Sequence, residues 1–395
     1  MLLNYEVNGY KIFDEKINFS MLANNNLKTL KENVVNKIVE KKKISVLKTA
    51  ILYGPNNSGK TTFIDSISLF KEIIEKESIK EICKNKLNFN FFDEKKQIEY
   101  KIDFLNNNNL CSYNLIFNQK GKITKEILIK NNKKLMDRFS KNSIEVQNVI
   151  DLLGHYDDKL LLLSLPKNYK NSYIEVLDFF SKIKIVKYKE GYLEDIIEIL
   201  DNPKYKEDFL NIIRNSDTNI KSIEYKKETA SKKDGRYMPQ EIENYLKIES
   251  TYEKNGKFVT IPSLLVDSQG TKKLIVYTSY VLKALKEDQI LIIDELDSSW
   301  HSVLTKNVFA LFNSKLNENS QLIASCHDLI LLDDKKMFRR DQIWFSYKEK
   351  SKMYFYSLND FSDNNLKSKN ALKDYLKGKY GALPHPNIGG IFNDK

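Results

Sequence analysis

Gly54-Pro55-Asn56-Asn57-Ser58-Gly59-Lys60-Thr61 fits the pattern G-x-x-x-x-G-K-[ST] in full, and no other run in the 395 residues is spaced so clearly for chemistry. In such a loop the two glycines let the backbone wrap a row of phosphates, with successive N–H groups pointing inward. The N-terminus of the helix that follows adds a favourable partial charge. Lys60 then reaches the β- and γ-phosphates, the Thr61 hydroxyl takes a place on Mg²⁺, and Thr62 closes the same turn. The chain holds only 13 glycines, under half of the usual ~7%. Glycines at set spacings in so poor a background answer a demand of the backbone. The expected ligands are ATP and Mg²⁺.

A second constellation is Ile290-Leu291-Ile292-Ile293-Asp294-Glu295, a short apolar run ending in two acids. A buried parallel strand of this kind delivers Asp294 to the metal shell and Glu295 to an attacking water. More than two hundred residues separate Lys60 from Asp294. Ring-forming AAA+ ATPases place the second motif far closer, so the spacing reads as the ABC arrangement, with an insertion between its lobes. That arrangement makes three further demands. A signature turn must open a helix just before the acid strand, and Asp267-Ser268-Gln269-Gly270-Thr271 does so. Ser268 and the N–H groups around Gly270 would meet the γ-phosphate bound to another copy. An acidic turn must follow the glutamate, and Asp297-Ser298-Ser299 fills it. A histidine must end the next strand, and His327 stands just past Gln321–Ser325 as a sensor of the γ-phosphate. One phosphate loop and one signature per chain imply a head-to-tail homodimer, or a higher homo-oligomer, in which each copy completes the other's site.

Other candidates are weaker. His301 is placed to touch a partner subunit or to cap its own helix. Tyr10 and Phe13 suit either the adenine ring or the core, with the core favoured. Gln97 and Gln119 are the candidates for a glutamine that senses the metal. Asp333-Asp334 is a local acidic pair that lacks the strand-turn context of a metal nuclease.

These residues need a framework. Val46–Tyr53 reads as the strand before the loop. Lys60–Glu75 reads as the helix after it, with Phe63, Ile64, Ile67, Phe70, Ile73 and Ile74 at helical spacing. Residues 2–19 read as short strands broken at Asn8-Gly9, followed by a polar helical stretch to about Lys43. Alternation in Tyr100-Ile102-Phe104 and Tyr113-Leu115-Phe117 predicts an antiparallel meander over 97–130. From Ser143 to Asn215 the pattern is helical, centred on Leu160–Leu165 and Val176–Phe180, and reads as an inserted arm rather than as part of a parallel sheet. Residues 219–262 alternate again, and the helix, strand, helix, strand order from Leu265 suits a parallel core. The expected fold is α/β, an ABC-type P-loop ATPase head with a mixed sheet, an antiparallel lobe and an inserted, mainly helical arm. Its divisions are an N-terminal lobe over 1–140, the insertion with flanking strands over 141–250, and a C-terminal lobe over 251–395.

Composition sets the bounds. Hydrophobic residues make up 41% and charged residues 30%, enough for a sizeable core. No stretch approaches the ~18 apolar residues of a membrane span. Met1–Tyr10 lacks the basic start and apolar run of a signal peptide, so the expected location is cytoplasmic. Cys83, Cys111 and Cys326 are scattered, without disulfide or metal spacing. The net charge of +11 permits an acidic partner such as nucleic acid, although lysines lie along the whole chain and suit solvated faces.

Taken together, the chain resembles the OLD-like, abortive-infection group of prokaryotic ABC ATPases found in two-gene phage-defence systems such as PARIS. The resemblance rests on Gly54–Thr61, the signature Asp267–Thr271, Asp294-Glu295-Leu296-Asp297-Ser298-Ser299-Trp300-His301, and Tyr375-Leu376-Lys377-Gly378-Lys379-Tyr380-Gly381-Ala382-Leu383-Pro384. It implies a regulatory ATPase that controls a separately encoded toxic effector of nuclease type. The signature departs from transporter ATPases in lacking the double glycine. About a hundred residues follow the acid strand, which leaves no room for an appended nuclease domain in this sequence. The alternative is a DNA-repair ATPase of the RecF and Rad50 types, binding DNA through its basic surface.

Overall fold

Three buried strands of this chain consist almost wholly of residues that only a sheet covered on both faces can accept. They are Thr49–Tyr53, Ile290–Ile293 and Gln321–Ser325. In the computed structural model, which describes residues 1–93, 95–139, 159–164, 173–187, 193–216, 218–226, 247–333, 336–349, 352–361 and 371–383, they form the centre of one six-stranded sheet. Its spatial order is Ile183–Val186, Ile290–Ile293 (the acid strand), Gln321–Ser325 (the sensor strand), Thr49–Tyr53 (the phosphate-loop strand), Ile343–Glu349 and Lys352–Ser357. All neighbours are parallel except the last pair.

Alternation along these strands divides the core. Ala50, Leu52, Ile290, Ile292 and Ile323 face the helix Lys60–Glu75 and an antiparallel sheet. Ile51, Tyr53, Leu291, Ile293, Leu322 and Ala324 face the helices Gln269–Lys286 (the signature helix) and Ser302–Asn313. The antiparallel sheet runs Ile17–Ser20, Leu2–Asn8, Ile98–Asn106, Asn109–Phe117, Ile123–Lys130 and Lys133–Asp137. Buried Gln321 clips the two sheets together: it accepts the Leu2 N–H at 2.6 Å and donates to the Leu2 and Leu47 carbonyls at 3.1 and 3.0 Å. The helices Leu193–Asp201 and Pro203–Arg214 and the sheet of Ile220–Tyr225, Ile248–Lys254 and Lys257–Pro262 share a separate cluster with Leu274, Ile275 and Leu282. The signature helix is therefore covered on both sides, which explains why nearly every residue from Lys273 to Ala284 is buried.

The phosphate-loop helix spans Lys60–Glu75 and the meander occupies the expected span. Three expectations need correction. The stretch before Lys43 is not α-helical: after a single 3-10 turn at Lys31–Asn33, Val34–Val39 and Lys42–Leu47 pair as an antiparallel hairpin across Glu40 and Lys41, both at positive φ (46° and 66°). Short β-branched runs outweigh the polar helix formers around them. The expected Val46–Tyr53 strand is two, broken at Lys48, whose ammonium donates to the Ser314 carbonyl at 2.8 Å. Finally, Ile183–Val186, which sequence placed in the helical arm, is a strand of the core sheet paired with the acid strand. Four apolar-leaning residues carry no usable period. Elsewhere in that stretch, Ile174–Ser181 is helical and Leu162–Ser164 is a 3-10 turn. Residues 140–158 lie outside the described residues. Among the described residues no helix is long and apolar enough to cross a membrane.

Candidate active site

Parallel pairing brings the ends of the three central strands to one edge, where the crevice of an open α/β sheet forms. Ile51 stands level with Ala324, and Ala324 with Ile293. The residues just beyond these strand ends are the phosphate loop, His327, and Asp294-Glu295. Pro55, Asn56, Asn57, Ser58, Gly59, Lys60, Thr61, Thr62, Asp294, Glu295 and His327 together line one cleft of about 270 Å³.

The loop conformation depends on glycine at its first position. A Cβ on Gly54 would lie 2.3 Å from the Ser346 carbonyl oxygen and 2.5 and 2.6 Å from the Ser346 and Ser58 hydroxyls. Those two hydroxyls bond each other at 2.6 Å, tying the loop to the neighbouring strand. Lys60 is buried and donates to the carbonyls of Gly54 and Pro55 at 2.6 and 3.0 Å; among the described residues it forms no ion pair. Burial lowers its pKa, partly opposed by Asp294 and Glu295. A buried cation held only by carbonyls, beside a loop with no room for a Cβ, fits an anionic ligand.

The Thr61 hydroxyl donates to Asp294 Oδ2 at 2.7 Å. Among the described residues no group of three or more His, Cys, Asp or Glu side chains is placed to hold a metal. One hydroxyl and one carboxylate suit Mg²⁺, which keeps most of its shell for phosphate oxygens and water. Sequence reasoning missed the residue that organises the acids. Ser325, the last of the sensor strand, donates to Asp294 Oδ1 at 2.5 Å and accepts the Glu295 N–H at 2.7 Å. Its one signal was a hydroxyl ending an otherwise apolar buried stretch.

Glu295 has φ 53° and Ser299 φ 63°, so the turn after the acid strand is held against its preference. Lys273, also missed, holds it: the ammonium donates to the Glu295 and Ser298 carbonyls, both at 2.7 Å. It lies 4.7 Å from the Tyr277 ring centre and 5.9 Å from that of Trp300. Burial pulls its pKa down to about 8. Trp300 Nε1 reaches the Gly270 carbonyl at 3.3 Å, and a Cβ on Gly270 would lie 3.0 Å from the Ser299 carbonyl. The signature turn and the acidic turn therefore pack backbone to backbone.

His327 Nε2 stands 4.0 Å from Glu295 Oε1, and both side chains are about 40% exposed. Asp297 does not line the cleft. Its Oδ2 accepts the His327 and Asp328 N–H groups at 2.7 and 2.6 Å, fixing the sensor loop. Ser268 caps the signature helix, accepting the Thr271 N–H at 3.2 Å; neither Ser268, which is exposed, nor Gly270 lines the cleft of its own chain.

The remaining candidates lie elsewhere. His301 Nδ1 accepts the Val303 N–H at 3.3 Å and caps its own helix. Tyr10 and Phe13 are core residues, 2% and 1% exposed. Gln97 bonds Thr124 at 2.8 Å, and Gln119 lines a surface hollow with Cys83 and Lys120, so neither reaches the cleft. The cysteines are free, and Cys111 and Cys326 are buried. Asp334 and Pro384 lie outside the described residues. Tyr375 and Tyr380 both stack on Phe345, at 5.6 and 5.2 Å, in the strand beside the phosphate-loop strand.

The family model described as "AAA domain, putative AbiEii toxin, Type IV TA system" matches residues 50–333. No curated protein sequence matches the chain. Among solved structures, the SMC head domain from Thermotoga maritima is similar at a TM-score of 0.46 and 14% identity, over 90% of this chain and 98% of that one. The SmcHead bound to the C-winged helix domain of ScpA gives 0.46 and 14%, over 90% and 97%. The Smc head domain with an extended coiled coil, bound to the C-terminal domain of ScpA derived from Pyrococcus furiosus, gives 0.43 and 14%, over 96% and 98%. Since the family match takes in the phosphate loop, the acid strand and His327, well over half of the sequence, the chain belongs to this AAA-domain family and is an ATPase.

Proposed function

We propose that the chain is the regulatory ATPase of a prokaryotic antiviral, abortive-infection system of the OLD-like and PARIS-like kind, controlling a separately encoded toxic effector of nuclease type. In this reading it works as a homodimer or higher homo-oligomer that closes around ATP and Mg²⁺. The observation that carries the shared site is that Ser268 and Gly270 lie outside their own chain's cleft, although Ser268 sits exposed at a helix N-terminus. The family description, with its toxin and its TA system, supports the defence role.

Within each site, the backbone of Gly54–Thr62 holds the phosphates and Lys60 neutralises the outermost ones. Thr61 and Asp294 would hold Mg²⁺, which would supply charge neutralisation for the transferring phosphoryl group. Glu295 takes the proton of the attacking water, with Ser325 and Lys273 fixing its backbone from two sides. His327 reports on the γ-phosphate, and Asp297 holds the His327 backbone in place. The signature serine and N–H groups of the second copy close the site.

Co-expression with the adjacent gene tests the defence role: the expected outcome is a stable complex and protection from phage, and the absence of both would sink it. The net charge of +11 favours a second reading, a DNA-repair ATPase of the RecF and Rad50 types. Hydrolysis stimulated by DNA, and lost steeply with salt, would decide for that reading.

A further inference from the structure

Neither glutamine candidate reaches the cleft, and beside the acid strand, just outside the cleft lining, the fold puts a lysine. Ile183–Val186 runs parallel to the acid strand, with Val186 level with Ile293 and its carbonyl accepting the Asp294 N–H at 3.0 Å. Lys187 is the next residue, so its backbone lies beside that of Asp294, about 4.8 Å away, as strand neighbours do. Its ammonium bonds Asp65 Oδ1 at 2.8 Å, while Lys11 takes Asp65 Oδ2 at 3.1 Å. Asp65 is four residues after Thr61 on one helix, which sets its side chain about 5–6 Å from that of Thr61 on the same face. Lys187 therefore stands one helical turn from the hydroxyl and carboxylate that suit the metal, on the side opposite the sensor strand.

We propose that Lys187 is a further γ-phosphate ligand supplied in cis, transferred from Asp65 to the phosphate oxygens when Mg-ATP binds. The inference rests on the ATPase reading of the cleft. A lysine side chain is long enough for the move, and Asp65 keeps Lys11 as partner when Lys187 leaves. The cation would stabilise charge on the transferring group, where a fixed donor commonly matters by about 10²–10³-fold. A glutamine at this place would orient water or metal through a neutral amide; a lysine adds positive charge.

The test is phosphate release by the full chain with Mg-ATP, comparing wild type, Lys187→Ala, Lys187→Arg and Asp65→Asn, with Lys60→Ala as reference. Lys187→Ala should lower kcat by about 10²-fold with KM for ATP changed by less than about threefold, and Lys187→Arg should restore at least about a tenth of the rate. Asp65→Asn should keep kcat at or above the wild-type value, because it removes the resting partner of Lys187 and Lys11 and leaves the Lys187 cation in place. Were the ion pair merely structural, Lys187→Ala and Asp65→Asn would lose activity and melting temperature together, and the proposal would fall. It would also fall if Lys187→Ala turned over like wild type. A wild type no faster than Lys60→Ala would instead refute turnover at this cleft.

Discussion

The two halves of the proposed nucleotide site are built in contrasting ways. On the phosphate-loop side everything converges within one chain: Thr61 meets Asp294, Ser325 holds both acids, and His327 stands 4.0 Å from Glu295. On the signature side Ser268 caps its helix and Gly270 packs against Ser299, yet neither lines the cleft of its own chain. The first half is pre-organised by a sheet buried on both faces. The second is a capped helix start whose serine is exposed. Lys273 and Trp300 are the struts between them, so the position of Glu295 depends on the signature helix.

This contrast can be broken or sharpened by experiment. Glu295→Gln should lower kcat by about 10³-fold or more while ATP still binds, and should hold the ATP-bound chain as a dimer at micromolar concentration in sedimentation. A monomer under those conditions would end the shared-site reading. Lys60→Ala and Ser268→Arg should each be inactive alone. Mixed one to one, they should recover about a quarter of the wild-type rate, since half the pairs are mixed and each mixed pair holds one intact site. No recovery on mixing would mean that the halves do not meet across two chains.

Lys273→Met should reduce kcat by about 10–10²-fold through loss of the Glu295 position, with little change in KM. The wild-type rate should fall as pH rises through about 8, where Lys273 loses its proton, and Lys273→Arg should move that limb upward. Stability runs the other way. The folded pKa lies below the unfolded one, so the unfolded chain holds the proton longer, and this group adds stability from about pH 8 up to the ordinary lysine value. Smallest of all, Gln119→Ala should leave kcat within about twofold; a larger loss would mean that Gln119 reaches the cleft after all.

Much of this is legible in the sequence. The phosphate loop, the acid pair, the signature serine and the sensor histidine are local patterns, and each falls on the expected strand end or helix start because periodicity and glycine spacing are local signals. Hairpin Val34–Leu47 and strand Ile183–Val186 are not legible there, because short β runs are settled by their partners. Residue types at set spacings thus determined which chemistry the chain carries and the order of its motifs. Tertiary structure alone decided which side chains serve them. Ser325, Lys273, Ser346 and Lys187 lie far along the chain from the groups they touch or flank, and no local pattern marks them. Pairing of strands distant in sequence brings them together, and that pairing reflects how the whole core excludes water rather than any one stretch of residues.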